Sequence, residues 1–102
     1  MTPLRIKVGR RAAREITKAC EWWDTNRPAA PGLLRSEIER AFALIAIQPG
    51  IGARSLNAKL TAVRRVHLSR IRYHLYYRAR PDQGTVEILA LWHTSRGIGP
   101  RV

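Results

Sequence analysis

The sequence has a single cysteine, few acidic residues and no long hydrophobic run. Cys20 has no second cysteine with which to form an internal disulfide, and its position in an apolar helical pattern predicts a buried, unreactive thiol. No run of about 18 apolar residues could form a membrane-spanning helix. Residues 1–14 also lack the apolar stretch of a signal peptide. We therefore expect a cytoplasmic protein with no membrane partner.

The scarcity of acidic residues leaves the chain strongly basic. Seven Asp and Glu stand against 19 Lys and Arg, which gives a net charge of +12 at pH 7. All but three of these cations are arginine, and its planar guanidinium binds phosphate and carboxylate in bidentate geometry. Such a charge predicts a polyanionic partner, either nucleic acid, the ribosome or an acidic protein. At 102 residues and 45% apolar, the chain is expected to form one domain over residues 1–102.

The N-terminal half predicts one strand followed by two helices. Residues 4–8 alternate in polarity, which predicts a strand with Leu4, Ile6 and Val8 facing inward. Two helical stripes follow, one of Ala12, Ile16, Ala19, Cys20 and Trp23, the other of Leu34, Ile38, Ala41, Phe42 and Ile45. The first helix should end near Asn26, because Pro28 disfavours helical geometry before it. Pro31 is tolerable in the first turn of the second helix, and residues 48–50 should end it. Matching stripes and a short linker predict a helical hairpin.

The C-terminal half predicts three strands, at Val63–Leu68, residues 71–79 and Thr85–His93. Alternation in the second of these places Ile71, Tyr73, Leu75 and Tyr77 on one face. The last strand is apolar on both faces, as is typical of a central strand. We predict an α+β fold of order β-α-α-β-β-β, with the helices on one face of a three-stranded antiparallel meander that the first strand joins. Leu89 and Leu91 should lie on the other face, where a partner would cover them.

Three stretches stand out as motifs: residues 46–52 (AIQPGIG), the hairpin of residues 63–66 (VRRV) with 73–78 (YHLYYR), and residues 86–97 (VEILALWHTSRG). In this order they resemble the RelE/ParE superfamily of toxins. The resemblance implies a toxin of a type II toxin–antitoxin system, neutralised by a cognate antitoxin encoded beside it. RelE-like members cut mRNA on the ribosome, whereas ParE-like members poison DNA gyrase, and a shared fold does not decide between these targets.

Metal-free RNA cleavage needs a base, an acid and cations near the phosphate. Five arginines are candidates for binding a target or nucleic acid, namely Arg64, Arg65, Arg72, Arg96 and Arg101. A nuclease would use Arg65, Arg72, His93 and Arg96 as catalytic residues, with His67 and His74 as weaker candidates for acid–base work. No residue after His93 can transfer a proton near pH 7, and residues 53–62 hold only Arg54 and Lys59, where RelE-like nucleases generally carry several lysines.

These differences favour a ParE-like gyrase poison without catalytic residues. A ribosome-dependent mRNA endonuclease is the alternative, and a non-toxic module that only binds a partner is a third. Each reading predicts a hetero-oligomer with an antitoxin that presents an acidic or amphipathic segment to Leu89, Leu91, Arg65 and Arg72. No cofactor or metal is expected, because Gly50-Ile51-Gly52 is a lone G-x-G after a helix. The three histidines and the cysteine also lack metal-ligand spacing.

Overall fold

Two helices cover one face of a five-stranded mixed sheet in the computed structural model, which describes residues 2–56, 58–68, 70–97 and 99–102. The elements are β1 (Arg5–Val8), α1 (Arg10–Asn26), α2 (Leu33–Ile47), β2 (Ala53–Arg54), β3 (Val63–Leu68), β4 (Tyr73–Arg80) and β5 (Thr85–His93). The sheet order is β1-β5-β4-β3-β2, with β1 parallel to β5 and the other pairs antiparallel. The predicted α+β class and β-α-α-β-β-β order are confirmed, and the two-residue β2 is an addition.

Both predicted helical stripes enter one core between the helices and the sheet. α1 ends at Asn26 as predicted, and the Arg27 amide donates a 2.7 Å hydrogen bond to the Trp23 carbonyl. α2 starts at Leu33, because Gly32 before it has a φ of 76°, which favours glycine. Cys20 is 3% exposed, and this burial raises the pKa of its thiol, which agrees with an unreactive role. The core contains Ala12, Ala19, Cys20, Leu34, Ile38, Ala41, Ile45, Leu75, Tyr77, Val86, Ile88 and Leu91.

A β-bulge at Leu89 changes which face the end of β5 presents. Tyr76 pairs with Ala90 and Tyr77 pairs with Ile88, so Leu89 has no partner in β4. The extra residue reverses the alternation of side chains along the strand. Leu91 therefore lies in the helix-facing core, 3% exposed, and the prediction that it lies on the other face is wrong. Leu89 is half-buried and packs on the opposite face against a smaller cluster of Val63, Tyr76 and Ala90.

Two further predictions about the strands are wrong. Val8 is 39% exposed rather than inward, because it ends β1, which lies at the edge of the sheet. Ile71 precedes β4 instead of starting it, because Arg72 has a φ of 56°, which is incompatible with a strand. The amides of Ile71 and Arg72 both donate 3.0 Å hydrogen bonds to the Leu68 carbonyl, which forms a tight turn. Ile71 is nevertheless buried in the core.

The face of the sheet away from the helices is partly covered by the chain's own C-terminal residues. Val102 packs against the smaller cluster, and its carbonyl accepts hydrogen bonds from the amides of Lys59, at 2.7 Å, and Leu60, at 3.4 Å. Less of this face is therefore open to a partner than the sequence predicts. Among the described residues, no helix has the length and apolar character needed to span a membrane.

Candidate functional site

A hydrogen-bonded corner of the chain, formed by residues 49–52 after α2, holds the start of β3 in place relative to that helix. The hydroxyl of Tyr77, which is fully buried, donates to the Pro49 carbonyl and accepts from the Gly52 amide, each at 2.8 Å. A Cβ at position 52 would lie 2.6 Å from the Tyr77 oxygen, so only glycine fits there. The Gly52 carbonyl accepts a 2.7 Å hydrogen bond from Arg64 Nη1. Arg64 was predicted to bind a target, but it is half-buried, and its guanidinium stabilises the fold through this hydrogen bond.

A cleft of about 780 Å³ opens where β4 begins and β5 ends. Among the predicted site residues it brings together Arg72, His93 and Arg96. We call it the arginine cleft, and its described lining residues are Trp22, Trp23, Arg27, Arg70, Ile71, Arg72, Tyr73, His93, Ser95 and Arg96. The end of α1 and the turn before β4 thus meet the end of β5, although they are far apart in sequence.

Local backbone bonds hold the rim of the arginine cleft in place. The Thr94 amide donates a 3.0 Å hydrogen bond to the Arg72 carbonyl, and Tyr73 pairs with His93 in the sheet. The Tyr73 and His93 rings meet edge to face at 5.0 Å. Arg72 has a left-handed φ of 56°, which costs on the order of 1 kcal/mol for a residue with a side chain. These contacts therefore hold the turn before β4 against the end of β5.

His93 is the one histidine among the described residues that line the cleft. Its Nδ1 accepts a 3.1 Å hydrogen bond from the Ser95 amide and lies 2.7 Å from the Ser95 hydroxyl. The neutral ring consequently carries its proton on Nε2. Burial raises the pKa of Tyr73, so this phenol keeps its proton near neutral pH. The described lining residues of the cleft thus supply a single imidazole.

Guanidinium groups dominate the charge of the cleft. Arg96 stacks over the Trp92 ring at 4.3 Å, and Arg27 lies 5.9 Å from the Trp22 and Trp23 rings. Arg70 pairs with Glu37 at 3.5 Å. None of the described lining residues is acidic. Such a concentration of guanidinium groups is suited to binding an anion.

A second group of polar side chains lies on the face of the sheet opposite the helices. Arg65 pairs with Tyr76 and His67 pairs with His74 across β3 and β4, and the two imidazole rings are 5.0 Å apart. Burial lowers the pKa of His74, and the positive charges of Arg65 and His67 lower it further. We call Arg65, His67, His74 and Tyr76 the open-face cluster.

The predicted site residues are therefore divided between places. Arg72, His93 and Arg96 share the arginine cleft, whereas Arg65 belongs to the open-face cluster. Arg101 is exposed and lines neither, although its carbonyl accepts a hydrogen bond from Arg11.

The sequence alone suggested that Trp22 could stack a base, but it did not assign this residue to a site. Its signal was its place outside the apolar stripe of α1, next to Trp23, which is in that stripe. An indole in that position, 51% exposed in the structure, is not explained by core packing.

The sequence matches the family model of the ParE toxin of the type II toxin–antitoxin system parDE over residues 6–98. The chain belongs to the ParE toxin family. It is thus a toxin of a type II toxin–antitoxin system in the RelE/ParE superfamily, as the resemblance implied. No individually curated protein matches the sequence.

Solved structures of both branches of the superfamily are similar to this ParE-family toxin. The toxin–antitoxin complex RelBE2 of Mycobacterium tuberculosis is 25% identical, with 91% of this chain and 93% of that chain covered and a TM-score of 0.66. The intact RelBE complex of E. coli is 16% identical, with 88% of this chain and 95% of that chain covered and a TM-score of 0.66. The chromosomal ParDE system of P. aeruginosa is also 16% identical, with 88% of this chain and 95% of that chain covered and a TM-score of 0.62. The last two likenesses concern the fold alone.

Proposed function

We propose that this toxin inhibits growth by poisoning DNA gyrase, as a binding protein that has no catalytic residues of its own. The observation that carries the proposal, beside the family match, is the composition of the arginine cleft. Metal-free RNA cleavage requires both a base and an acid, and the described lining residues include a single imidazole, that of His93. Arg72 and Arg96 instead provide charge for binding a macromolecular target.

The proposed partner that neutralises the toxin is a cognate antitoxin encoded next to it. The solved RelBE and ParDE neighbours are toxin–antitoxin systems, which supports such a partner. The residues proposed to contact it are Leu89 and Arg65 on the face opposite the helices, and Arg72 at the arginine cleft; both arginines are exposed. Leu91 is no longer part of that surface, because it is buried in the core. An acidic or amphipathic antitoxin segment would complement these side chains.

A supercoiling assay with purified gyrase tests the target directly. Micromolar toxin should inhibit supercoiling, and the double variant Arg72→Ala with Arg96→Ala should relieve the inhibition at least tenfold if both guanidinium groups bind gyrase. The double variant Arg10→Ala with Arg14→Ala, which removes the same number of charges from exposed positions of α1 outside the cleft, is the matched control and should retain inhibition. Supercoiling that is unaffected by the native toxin would refute gyrase as the target. Overexpression without any growth defect would instead indicate a non-toxic relic that only binds its partner.

The open-face cluster favours a second candidate function, a metal-independent, ribosome-dependent mRNA endonuclease. The lowered pKa of His74 keeps its imidazole neutral at pH 7, as a general base requires. Neighbouring His67 could supply the acid and Arg65 the charge that stabilises the phosphate. In an in vitro translation assay, His74→Gln and Arg65→Ala should then abolish transcript cleavage. Transcripts that stay intact during growth arrest would exclude this candidate.

A further inference from the structure

We propose that the arginine cleft binds a nucleoside phosphate, with the base stacked on Trp22 and the phosphate held by Arg72 and Arg96. This inference goes beyond the proposed action on gyrase and does not depend on it. The cleft volume of about 780 Å³ falls within the range of about 300–1,000 Å³ that small-molecule sites occupy.

The first argument comes from the exposure of Trp22. Its side chain is 51% exposed at the rim of the cleft, whereas Trp23 is half-buried and donates a 2.9 Å hydrogen bond from Nε1 to the Ala30 carbonyl. Trp23 thus supports the loop after α1, whereas the Trp22 indole donates no hydrogen bond within the described residues. An exposed indole beside guanidinium groups is the arrangement that stacks nucleobases.

The second argument comes from the charges around that indole. Arg27, Arg72 and Arg96 form no ion pair with any described carboxylate, whereas five other arginines do so within the described residues. The neutral form of His93 adds an N–H at Nε2, since its Nδ1 is occupied by Ser95. These groups are all donors, and phosphate oxygens are all acceptors.

The third argument is the backbone of Arg72. Its φ of 56° would be relaxed by glycine, yet the position holds an arginine that lines the cleft. Strained backbone conformations of this kind cluster at active sites and ligand-binding sites. The hydrogen bond from the Thr94 amide to the Arg72 carbonyl keeps the turn in that conformation.

Calorimetric titration of the full chain with AMP and with ribose 5-phosphate tests the proposal. AMP should bind at least tenfold more tightly, since only AMP carries a base. Trp22→Leu should weaken AMP binding roughly tenfold and leave ribose 5-phosphate unchanged. Arg72→Gly should weaken both roughly tenfold, because it removes a charged phosphate donor. It should also stay folded, since glycine relaxes the turn.

Matched controls separate this site from general attraction to a protein of charge +12. Ala62→Gly places glycine at another exposed position of positive φ, 61°, and Arg14→Ala removes an exposed charge outside the cleft. Neither should change AMP binding by more than about twofold. Equal binding of AMP and ribose 5-phosphate, or an equal loss in Arg14→Ala and Arg72→Gly, would overturn the proposal.

The source of the nucleotide is decided by a second pair of probes. A 5′-phosphorylated single-stranded decadeoxynucleotide that binds more tightly than AMP, with the same dependence on Trp22, indicates an unpaired nucleotide of a strand. Equal affinity for AMP and the strand indicates a free nucleotide. Strand binding that is insensitive to Trp22→Leu would contradict stacking in the cleft. Indole N–H resonances provide an independent readout, because AMP should shift that of Trp22, and a Trp22 resonance that AMP leaves unshifted would contradict stacking on this ring.

Discussion

Removal of the Tyr77 hydroxyl should cost the fold about 2 kcal/mol. Tyr77→Phe keeps the buried ring but removes the oxygen that donates to the Pro49 carbonyl and accepts from the Gly52 amide. Gly52 is buried, so its amide would be left without a partner, at a cost of about 1–3 kcal/mol. Pro49 is half-exposed, and its carbonyl can bind water instead. The total is a large fraction of the roughly 5–15 kcal/mol that stabilises a domain of this size.

Urea unfolding followed by circular dichroism measures this loss. A loss of about 2 kcal/mol should move the urea midpoint and leave the slope of the transition unchanged. In a separate thermal unfolding experiment, it should lower the melting temperature by roughly 10 °C. Hydrogen exchange of the Gly52 amide should accelerate. Tyr73→Phe is the matched control, because the Tyr73 hydroxyl makes no hydrogen bond to any residue that the structure describes. A loss in Tyr77→Phe that is no greater than in Tyr73→Phe would refute the view that this hydroxyl fixes the corner.

Three further outcomes are expected. Leu91→Ala should lower the free energy of unfolding in urea by about 2–5 kcal/mol, because Leu91 is buried, whereas Leu89→Ala should lower it by about 1 kcal/mol, because Leu89 is half-buried. Equal losses in the two variants would contradict the bulge at Leu89. The hydrogen bond from Arg78 lowers the pKa of Glu87, so the ion pair stabilises the fold above pH 4.5, and this stabilisation is lost as the pH falls further. Glu87→Gln should therefore lower the free energy of unfolding by about 1 kcal/mol at pH 7 and by little at pH 3. Burial lowers the pKa of His74, so unfolding experiments should show stability falling below pH 6.5, and an unchanged acid profile in His74→Gln would contradict this.

The helices and strands could be predicted because their apolar periodicity reflects one shared core. Both stripes of the helices and the inward side of β4 are buried together. The position of Leu91 could not be predicted, since a bulge inserts one residue without any local signal in β5. The turn at Arg72 was equally hidden, because a positive φ is unusual for arginine and its neighbours alternate as a strand would.

The candidate site was only partly predictable for a different reason. Arg72, His93 and Arg96 belong to the hairpin and closing strand whose pairing the sequence indicates, and the structure places them together. Trp22 and Arg27 come from the end of α1, and their approach to that hairpin depends on how the helix packs on the sheet. Packing geometry of that kind is set by the whole core rather than by any local pattern.

The distribution of charge constrains how any partner can bind this toxin. If every one of the seven acidic side chains neutralised one cation, a charge of +12 would still remain. Glu37 and Glu87 each contact two arginines, so the pairs formed within the chain also leave their cations incompletely neutralised. The apolar surface beside Leu89 is meanwhile partly covered by Val102. We therefore expect charge complementarity to contribute to the choice of partner, and an antitoxin segment that neutralises this surface to supply carboxylates.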